Sequence, residues 1–340
     1  MARALALAER GRGTTNPNPV VGAVIVRGGR IVAEGFHRRA GRAHAEVNAL
    51  GALRGGARGT TLYVTLEPCS HTGRTAPCTE AILAAGPGRP ARVVVGCRDP
   101  NPIVDGRGIA RLRRAGLRVD VGCLEEECRA AIAGYAIWVR EHRPLVTLKA
   151  AATLDGFIAE TASRRRRAPV WITGRQARRA AHELRATHDA ILVGAGTVRA
   201  DDPQLTVRLP GRRAARTPLR VVLAGRRSLP KGARVLDGAA PTLTIRDPTG
   251  RVAVKPALEV LAARGIQSLL VEGGAAIHGA FIAAGLVDRV ALFLAPKLIG
   301  GGLPVASGAN LSVARALSLG PISVRSLGPD LLLTAEVTRR

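Results

Sequence analysis

The sequence predicts an α/β protein of two domains, and three observations support this. At 340 residues the chain is long for one domain and comfortable for two. Hydrophobic residues make up 46% of it, so each half can bury a core. Strand-like apolar segments alternate with helix-like segments, and this alternation restarts after residues 142–144, His-Arg-Pro. We therefore expect one domain at residues 1–143 and a second at residues 144–340.

The first half has the pattern of one sheet with flanking helices. Periodicity and capping residues predict helices at Ala2–Arg10, Ala43–Leu53, Cys78–Ala85, Ile109–Ala115 and Leu124–Arg140. Apolar β-branched runs predict strands at Val20–Val26, Ile31–Phe36, Thr60–Leu66, Arg92–Gly96 and Leu117–Val121. The Gly-Gly pair between the first two strands indicates a hairpin turn.

The second half repeats the alternation. We expect helices at Arg175–Thr187 and Ala275–Ala284, and strands at Leu145–Ala150, Ala190–Val193, Arg220–Leu223, Ser268–Val271 and Val290–Leu294, with Leu331–Val337 as a last edge strand. Two glycine-containing loops, Gly194–Thr197 and Glu272–Gly274, each follow an apolar strand. Such loops let backbone amides approach a phosphate. Neither has the Gly-x-Gly-x-x-Gly fingerprint, so nucleotide binding and a plain tight turn both stay open.

One stretch of the first half carries the residues of a metal site. His44 is followed two residues later by Glu46. Two cysteines come after them, Cys69 directly behind Pro68, and then Cys78. One imidazole and two thiolates are enough for tetrahedral zinc with an open fourth position, which is the catalytic arrangement. This order of residues is typical of zinc-dependent base deaminases, in which the glutamate moves protons between water and the leaving amine.

Simpler interpretations of this stretch remain. His44 can be a buried core residue, the two cysteines can be unrelated, or the three can form a structural zinc knot. None of these explains why Glu46 and the Pro-Cys pair sit where deaminase chemistry needs them. Upstream, two Asn-Pro steps at residues 16–19 predict a rigid extended loop whose amides can bond a ligand, with an ordinary turn as the alternative.

The charge of the chain has two interpretations. A formal net charge of +26 is typical of proteins that bind nucleic acid or another polyanion. The cationic residues are nearly all arginine and are scattered over both halves, which is equally typical of a GC-rich genome. Aromatic residues are 2% of the chain, so there are few rings on which single-stranded bases can stack.

The compartment predicted from the sequence is the cytoplasm. No apolar run approaches the roughly 18 to 20 residues that span a bilayer, and the N-terminal residues lack the apolar block of a signal peptide. Cys97, Cys123 and Cys128 show no pairing pattern, which favours plain thiols in a reducing compartment.

The chain resembles the bifunctional deaminase–reductase family of riboflavin biosynthesis over essentially its full length. In the first half the matching residues are Asn16–Pro19, Gly22, His37, His44–Glu46, Thr65–Cys69, Gly73–Thr75, Pro77–Cys78 and Asp99–Pro102. In the second half they are Lys149, Leu154–Gly156, Trp171–Thr173, Leu184–Arg185, Asp201–Pro203, Leu205–Arg208, Val271–Gly274 and Ala295–Leu298. Deaminases of nucleic acid typically carry Cys-x-x-Cys, and the longer spacing here is similar to that of the riboflavin family.

The resemblance implies a fold, two reactions and two cofactors. It implies a cytidine-deaminase-like three-layer domain followed by a dihydrofolate-reductase-like α/β domain. The first would use Zn²⁺ to deaminate a diaminopyrimidinone that carries a phosphoribosylamino group, and the second would use NADPH to reduce the ribose to a ribityl chain. The partners expected are this small pyrimidine ribonucleotide and further copies of the chain, with neither nucleic acid nor membrane.

The resemblance also implies site residues. Zinc would be held by His44, Cys69 and Cys78, with Glu46 catalytic. The cofactor would contact Ala151, Trp171, Thr197, Asp201, Gly225, Gly274, Ala275, Ala276, Ile277, His278, Gly279 and Ala280. The substrate residues would be Asn16, His37, His71 and Arg74 in the first domain, and Arg185, Leu205, Arg208 and Glu272 in the second. The forked guanidinium groups of the two arginines suit a phosphate.

Three positions of the second half depart from the family pattern. Pro169 stands where a serine is usual, after the run Arg164–Arg167; Ala224 and Gly225 replace an Asp-Ser pair; and Ala151 replaces a glycine. Proline offers neither a side-chain donor nor a backbone N–H, so we expect weaker substrate binding at the reductase. The alternatives are a deaminase with a degenerate second domain that holds an oligomer together, a nucleic-acid deaminase, and a non-enzymatic zinc protein.

Overall fold

The computed structural model describes residues 1–72, 76–84, 88–160, 170–211, 217–225, 228–247 and 253–338. The predictions that concern Arg74, Arg164–Arg167 and Pro169 lie outside these described residues. The chain divides into two compact units, Met1–His142 and Arg143–Arg340. Within the described residues, every helix is too short or too polar to span a bilayer.

The first unit is built on a five-stranded mixed sheet. Its strands are β1 (Gly22–Arg27), β2 (Arg30–Phe36), β3 (Thr61–Leu66), β4 (Arg92–Cys97) and β5 (Arg118–Val121), in the order β2-β1-β3-β4-β5. The first three strands pair antiparallel, whereas β3, β4 and β5 run parallel. The carboxyl ends of β3 and β4 therefore lie side by side at one edge of the sheet.

Helices cover both faces of this sheet. They are α1 (Ala2–Glu9), α2 (Ala45–Ala52), α3 (Cys78–Leu83), α4 (Arg107–Arg114), α5 (Glu125–Ala131) and α6 (Ala133–Glu141). Side chains of β1 alternate between the two faces. Ile25 packs with residues of α2, α3 and α4, whereas its neighbour Val24 packs with α1. Since α5 and α6 join α1 on that second face, the unit has three layers.

The second unit contains a nine-stranded sheet. Its strands are β6 (Leu145–Thr153), β8 (Ala190–Gly194), β9 (Leu219–Ala224), β10 (Thr242–Arg246), β11 (Ser268–Gly273), β12 (Arg289–Ala295), β14 (Ser318–Leu319), β15 (Ser323–Leu327) and β16 (Asp330–Thr338). The order is β10-β9-β8-β11-β6-β12-β16-β14, and β15 also pairs with β16. The six neighbouring strands β10, β9, β8, β11, β6 and β12 all run parallel. Their carboxyl ends therefore lie at one edge of the sheet. A separate two-stranded sheet joins β7 (Phe157–Ala159) and β13 (Leu303–Pro304).

Helices also flank the large sheet on two faces. They are α7 (Arg175–Ala186), α8 (Ala195–Asp201), α9 (Val254–Ala262) and α10 (Ala275–Ala283), with short 3-10 helices at Arg234–Leu236 and Val313–Arg315. In β8, Leu192 packs with α9 and α10, whereas Ile191 packs with α8 on the other face. Because helices cover both faces of the sheet, the sequences of these strands are nearly continuous apolar runs.

Several element predictions are wrong in detail. Leu331–Val337 is not an edge strand, because β16 lies between β12 and β14. The helix predicted over Leu124–Arg140 is interrupted at Ile132, which has φ −107° and ψ 12° and separates α5 from α6. Helix α9 and strand β10 were not predicted. His44 precedes α2 as its N-cap with extended backbone rather than lying in its first turn.

The two predicted glycine loops differ from one another. Helix α8 begins at Ala195, directly after β8, so the first is a strand-to-helix junction rather than a loop. A Cβ on Gly194 would lie 2.8 Å from a side-chain carbon of Ile277, so glycine here permits close packing against α10. In the second, Gly273 has φ +135°, a conformation that requires glycine.

Candidate functional sites

Three side chains of the first unit converge as a metal-ligand cluster. His44 Nδ1 lies 3.2 Å from Cys78 Sγ and 3.6 Å from Cys69 Sγ. The three ligand atoms all lie within 4.8 Å of one another. His44 caps α2, Cys69 follows β3, and Cys78 opens α3, so three different elements fix the cluster. The backbone N–H of Cys78 donates to Cys69 Sγ at 3.3 Å, which holds the two cysteines together.

The geometry of this cluster fits zinc. Zinc binds nitrogen at about 2.0 to 2.1 Å and thiolate at about 2.3 Å, which in a tetrahedron separates neighbouring ligand atoms by roughly 3.6 to 3.8 Å. The observed N–S distances of 3.2 and 3.6 Å are close to this spacing. A hydrogen bond with Cys78 lowers the pKa of the Cys69 thiol to about 4, and the same bond raises the pKa of Cys78 above its usual range. Three protein ligands are present, which is the number that catalytic zinc sites use.

A cavity of about 210 Å³ opens beside the cluster. Its lining includes His44, Cys69 and Glu46, which brings the carboxyl group of Glu46 to the same space as the metal ligands. The Glu46 residue is 3% exposed, and this burial raises the pKa of its carboxyl group to about 7. A carboxyl group with this pKa can both accept and donate a proton near neutral pH.

The predicted substrate residues of this domain differ in whether they line the cavity. His37 and His71 line the cavity, and so does Asn18, whereas Asn16 is not among the lining residues. Asn18 Nδ2 donates to His37 Nε2 at 3.1 Å, so the proton of a neutral His37 ring is on Nδ1 and is donated to the carbonyl of Ala43 at 3.2 Å. Burial lowers the pKa of His37, which favours this neutral form.

The carboxylate of Glu67 ties the wall of the cavity to the metal ligands. It accepts backbone N–H bonds from Asp99, Gly106, Gly108 and Ile109, at 3.3, 2.9, 2.9 and 3.2 Å. A Cβ on Gly108 would lie 1.9 Å from the carbonyl oxygen of Pro68, the residue before Cys69. The first turn of α4 therefore packs directly on the backbone that presents a metal ligand.

The loop after β4 also brings Asp99 to the cavity. Its Oδ1 accepts from the backbone N–H of Asn101 at 2.8 Å and from the hydroxyl of Tyr135 at 3.3 Å. Burial raises the pKa of Asp99 to about 6. The sequence assigns no role to Asp99, although its position after β4, the parallel neighbour of β3, is a signal that points to the same edge of the sheet.

In the second unit, a buried ion pair joins two predicted substrate residues. Arg185 of α7 donates Nε and Nη2 to the carboxylate of Glu272 at 2.6 and 2.7 Å, and its Nη1 donates to the carbonyl of Thr206 at 3.0 Å. Lys149 Nζ lies 3.9 Å from the same carboxylate. Burial acts to raise the pKa of Glu272, but the charges of Arg185 and Lys149 prevail and lower it to about 2. Glu272 is therefore ionised.

A second pair of residues extends this cationic site. The backbone N–H of Arg208 donates to His182 Nδ1 at 3.2 Å. Burial, and then the charges of Arg185 and Arg208, lower the pKa of His182 to about 4, so the ring is neutral at pH 7. Leu205 is 2% exposed and packs in the core under α8, so its side chain serves the fold. The sequence alone did not identify His182, because a single histidine on a helix matches no functional motif.

Several predicted cofactor residues follow the carboxyl ends of the parallel strands β8, β9 and β11. Thr197 of α8 lies beside Gly274, with Oγ1 3.3 Å from the place a Cβ would take there. The segment 275–280 forms most of α10, which starts next to α8 because β8 and β11 are neighbours. Asp201 ends α8, and burial raises its pKa. Ala151 lies in β6 and Gly225 follows β9.

Trp171 is less closely connected to the other cofactor candidates. Its side chain is 58% exposed, and the guanidinium of Arg178 lies 4.8 Å from its ring centroid. Its carbonyl accepts from Lys297 Nζ at 3.3 Å.

Comparison with known proteins identifies both units. Residues 1–97 match the model of the cytidine and deoxycytidylate deaminase zinc-binding region, and residues 144–333 match the RibD C-terminal domain. The riboflavin biosynthesis protein RibD of Aquifex aeolicus is 41% identical over 98% of this chain and 96% of its own length. The chain belongs to the RibD family. The RibD of Escherichia coli is 40% identical over 98% of this chain and 97% of its own.

Solved RibD structures have the same fold. The Acinetobacter baumannii RibD structure superposes with a TM-score of 0.88 at 35% identity, covering 99% of this chain and 98% of that one. A Thermotoga maritima deaminase/reductase superposes with a TM-score of 0.88 at 39% identity, covering 99% and 97%. The predicted fold class, an α/β deaminase-like domain followed by a reductase domain, is therefore confirmed, as is the prediction of a bifunctional enzyme. Zinc and NADPH, the cofactors predicted for the two domains, are those of the RibD family.

Proposed function

We propose that this RibD protein deaminates diaminohydroxyphosphoribosylaminopyrimidine and then reduces 5-amino-6-(5-phosphoribosylamino)uracil, the two activities named for the Thermotoga maritima structure. The observation that carries the proposal is that Glu46 lines one cavity together with His44 and Cys69, two members of the ligand cluster that Cys78 completes. The product of the first reaction is the substrate of the second, so the two domains of one chain catalyse consecutive steps.

In the deaminase, His44, Cys69 and Cys78 would hold zinc, and Glu46 would move the proton. Zinc, when bound, makes water a nucleophile near neutral pH. Glu46 would take a proton from the water as its oxygen bonds to the ring carbon, and would give a proton to the amine, whose C–N bond breaks to release ammonia. His37, held by Asn18, faces the same cavity as a candidate for binding the pyrimidine, together with His71. Asn16 and Arg74 are proposed as further substrate-binding residues on the basis of the family resemblance.

In the reductase, Arg185 and Arg208 would bind the substrate phosphate, and Glu272 would hold Arg185 in place. The ion pair with Glu272 uses two donors of Arg185, and its third contact is the carbonyl of Thr206, so this guanidinium is fixed before a ligand arrives. NADPH, when bound, supplies the hydride.

For the cofactor, we propose contacts with the twelve residues that the family resemblance implies. They are Ala151, Trp171, Thr197, Asp201, Gly225, Gly274, Ala275, Ala276, Ile277, His278, Gly279 and Ala280. The close approach of Thr197 to Gly274 supports placing the cofactor phosphates where α8 and α10 begin.

The finer parts of the assignment are also proposals. We propose a domain boundary between residues 143 and 144, a cytoplasmic location, assembly as a homo-oligomer, and no nucleic-acid partner. Scattered arginines should bind nucleic acid weakly and with a strong dependence on salt. The assay below distinguishes this assignment from a deaminase with an inactive second domain and from a nucleic-acid deaminase.

One assay separates these possibilities. The zinc-loaded full chain is given the diaminopyrimidine nucleotide with and without NADPH, and ammonia and NADPH absorbance are followed. The proposed function predicts ammonia in both cases and NADPH oxidation that depends on prior deamination. Ammonia without NADPH oxidation would leave a deaminase alone. Deamination of an oligonucleotide but not of the free nucleotide would replace the proposal with the nucleic-acid alternative.

A further inference from the structure

Two arginines of the reductase domain share a single acceptor. Arg208 Nη1 and Arg234 Nη2 each lie 3.5 Å from Oε1 of Gln204. Within the described part of the chain, neither guanidinium forms an ion pair with a carboxylate. Burial and the charges of Arg185 and Arg234 lower the pKa of Arg208, which reflects cations crowded together. Like charges held at one neutral oxygen repel each other, so an anion placed between them would be strongly favoured.

The amide of Gln204 has a fixed orientation. Its Nε2 donates to Asp237 Oδ2 at 2.9 Å, so Oε1 must face the two guanidinium groups. Asp237 accepts at its other oxygen from Arg220 Nη1 at 2.8 Å. The carboxylate of Asp237 is therefore already engaged by Arg220 and by the amide of Gln204.

A buried arginine holds the two chain segments together. Arg220 in β9 is 0% exposed, and its Nη1 also contacts the carbonyl oxygens of Gln204 at 3.2 Å and Arg234 at 3.3 Å. At the other side, the backbone N–H of Arg234 donates to Asp202 Oδ1 at 2.7 Å. The backbones that carry Gln204 and Arg234 are thus fixed relative to one another, which lowers the entropy cost of binding a ligand between them.

We propose that Arg234 is a second phosphate-binding residue of the reductase, which together with Arg208 clamps a phosphate monoester. Gln204 spaces the two guanidinium groups, and the dianion replaces their mutual repulsion with charge-assisted hydrogen bonds. The phosphate chosen is the 5′-phosphate of the substrate, because Arg208 adjoins the Arg185 and Glu272 pair through His182. This choice rests on the proposed function. The 2′-phosphate of NADPH has the same chemistry, so the test must separate the two.

The first measurement is binding without turnover. Ribose 5-phosphate and adenosine 2′,5′-bisphosphate are titrated calorimetrically into the full chain, into Arg234→Met and into a control, Arg264→Met. Arg264 is an exposed arginine of the same domain whose guanidinium bonds the carbonyl of Val260. We expect Arg234→Met to weaken ribose 5-phosphate binding roughly 10- to 100-fold, as the loss of a hydrogen bond to a charged group does. The control should bind like the wild type.

The second measurement is a kinetic comparison. Arg234→Met should raise KM for the phosphorylated substrate by a similar factor while kcat stays within about twofold. For the corresponding nucleoside, which lacks the phosphate, KM should be the same in Arg234→Met as in the wild type. Arg234→Lys should restore part of the affinity, since lysine keeps the charge but not the fork. A purely structural role would lower kcat and affect both substrates alike.

The outcomes are distinguishable. A selective loss for ribose 5-phosphate supports the proposal as stated, and a selective loss for adenosine 2′,5′-bisphosphate supports the clamp but assigns it to the cofactor and overturns the choice of substrate phosphate. Equal binding of both ligands by Arg234→Met and Arg264→Met would overturn the clamp. If the wild-type chain shows no reductase turnover yet binds ribose 5-phosphate through Arg234, the proposed function fails while the phosphate site stands.

Discussion

Arg185 and Glu272 form a two-point ion pair, with N–O distances of 2.6 and 2.7 Å, in which the Glu272 side chain is 6% exposed. The pair lies where a charged substrate is expected to bind, yet it is complete without one. Each of its charges depends on the other, since the removal of one partner leaves a buried charge uncompensated.

We expect Glu272→Gln to lower the free energy of unfolding by roughly 3 kcal/mol, because Arg185 and Lys149 would then be buried without a counter-charge. The measurement is urea denaturation of the full chain followed by circular dichroism. Glu336→Gln is the matched control, since that side chain is 71% exposed and its pair with Arg289 should contribute about 0 to 1 kcal/mol. Equal losses in the two variants would contradict this account of the pair.

His182 should make stability depend on pH. The folded chain holds the pKa of this ring at about 4, chiefly through burial and also through the charges of Arg185 and Arg208, which together outweigh the opposing charge of Glu272. In the unfolded chain the pKa is about 6.5, so only that state takes up the proton between these values. The stabilising contribution is present above about pH 6.5 and is lost as the pH falls toward 4.

The test compares melting temperatures from pH 7.5 to pH 4.5, a range chosen to span roughly this window. His182→Gln should flatten the decline relative to wild type. His142→Asn is the control, because His142 is exposed and has φ +53°, which asparagine tolerates. A decline as steep in His182→Gln as in the wild type would show that other groups produce it.

Zinc content should depend on Cys69 and not on every cysteine. Cys69→Ser removes a thiolate from the three-ligand cluster, and we expect most of the metal to be lost. Cys123→Ser keeps the cluster intact and should retain about one zinc per chain, as a three-residue site requires. Elemental analysis of the purified variants measures both. Full retention by Cys69→Ser would exclude this site.

Glu46→Gln should separate metal binding from proton transfer. The amide keeps the shape of the side chain but cannot accept the proton of water, so ammonia release should fall roughly 100- to 10,000-fold while zinc is retained. Glu80→Gln is the control, because Glu80 lies on α3 and pairs with Arg111 on the surface. Near-normal ammonia release by Glu46→Gln would remove the carboxyl group from the mechanism.

The metal cluster could be predicted from the sequence because the types of its residues and the spacing between them are themselves the signal. His44, Glu46, Cys69 and Cys78 are unusual residues in a known order, and each lies close to the start or the end of a predictable element. Strands such as β8 and β11 were predicted equally well, since burial on both faces makes them continuously apolar.

Other features depend on contacts between distant segments, which spacing does not encode. Arg220 appeared only as part of a strand, and its role comes from contacts with residues near 204, 234, 237 and 240. The last strand was placed at an edge because β14 and β15 are short and polar, so their pairing with it was not visible. His182 has no partner in the sequence that would mark it.

The approach of Gly108 to Pro68 has a consequence for mutational libraries of this domain. Position 108 lies 39 residues along the chain from Cys69, but a side chain there would push on the carbonyl of the residue before that ligand. A library scored for metal retention should therefore show position 108 as intolerant to nearly every substitution, alongside the ligands themselves. An engineer who redesigns the cavity wall for a new pyrimidine would do better to vary Asn101, which lines the cavity, and to leave position 108 fixed.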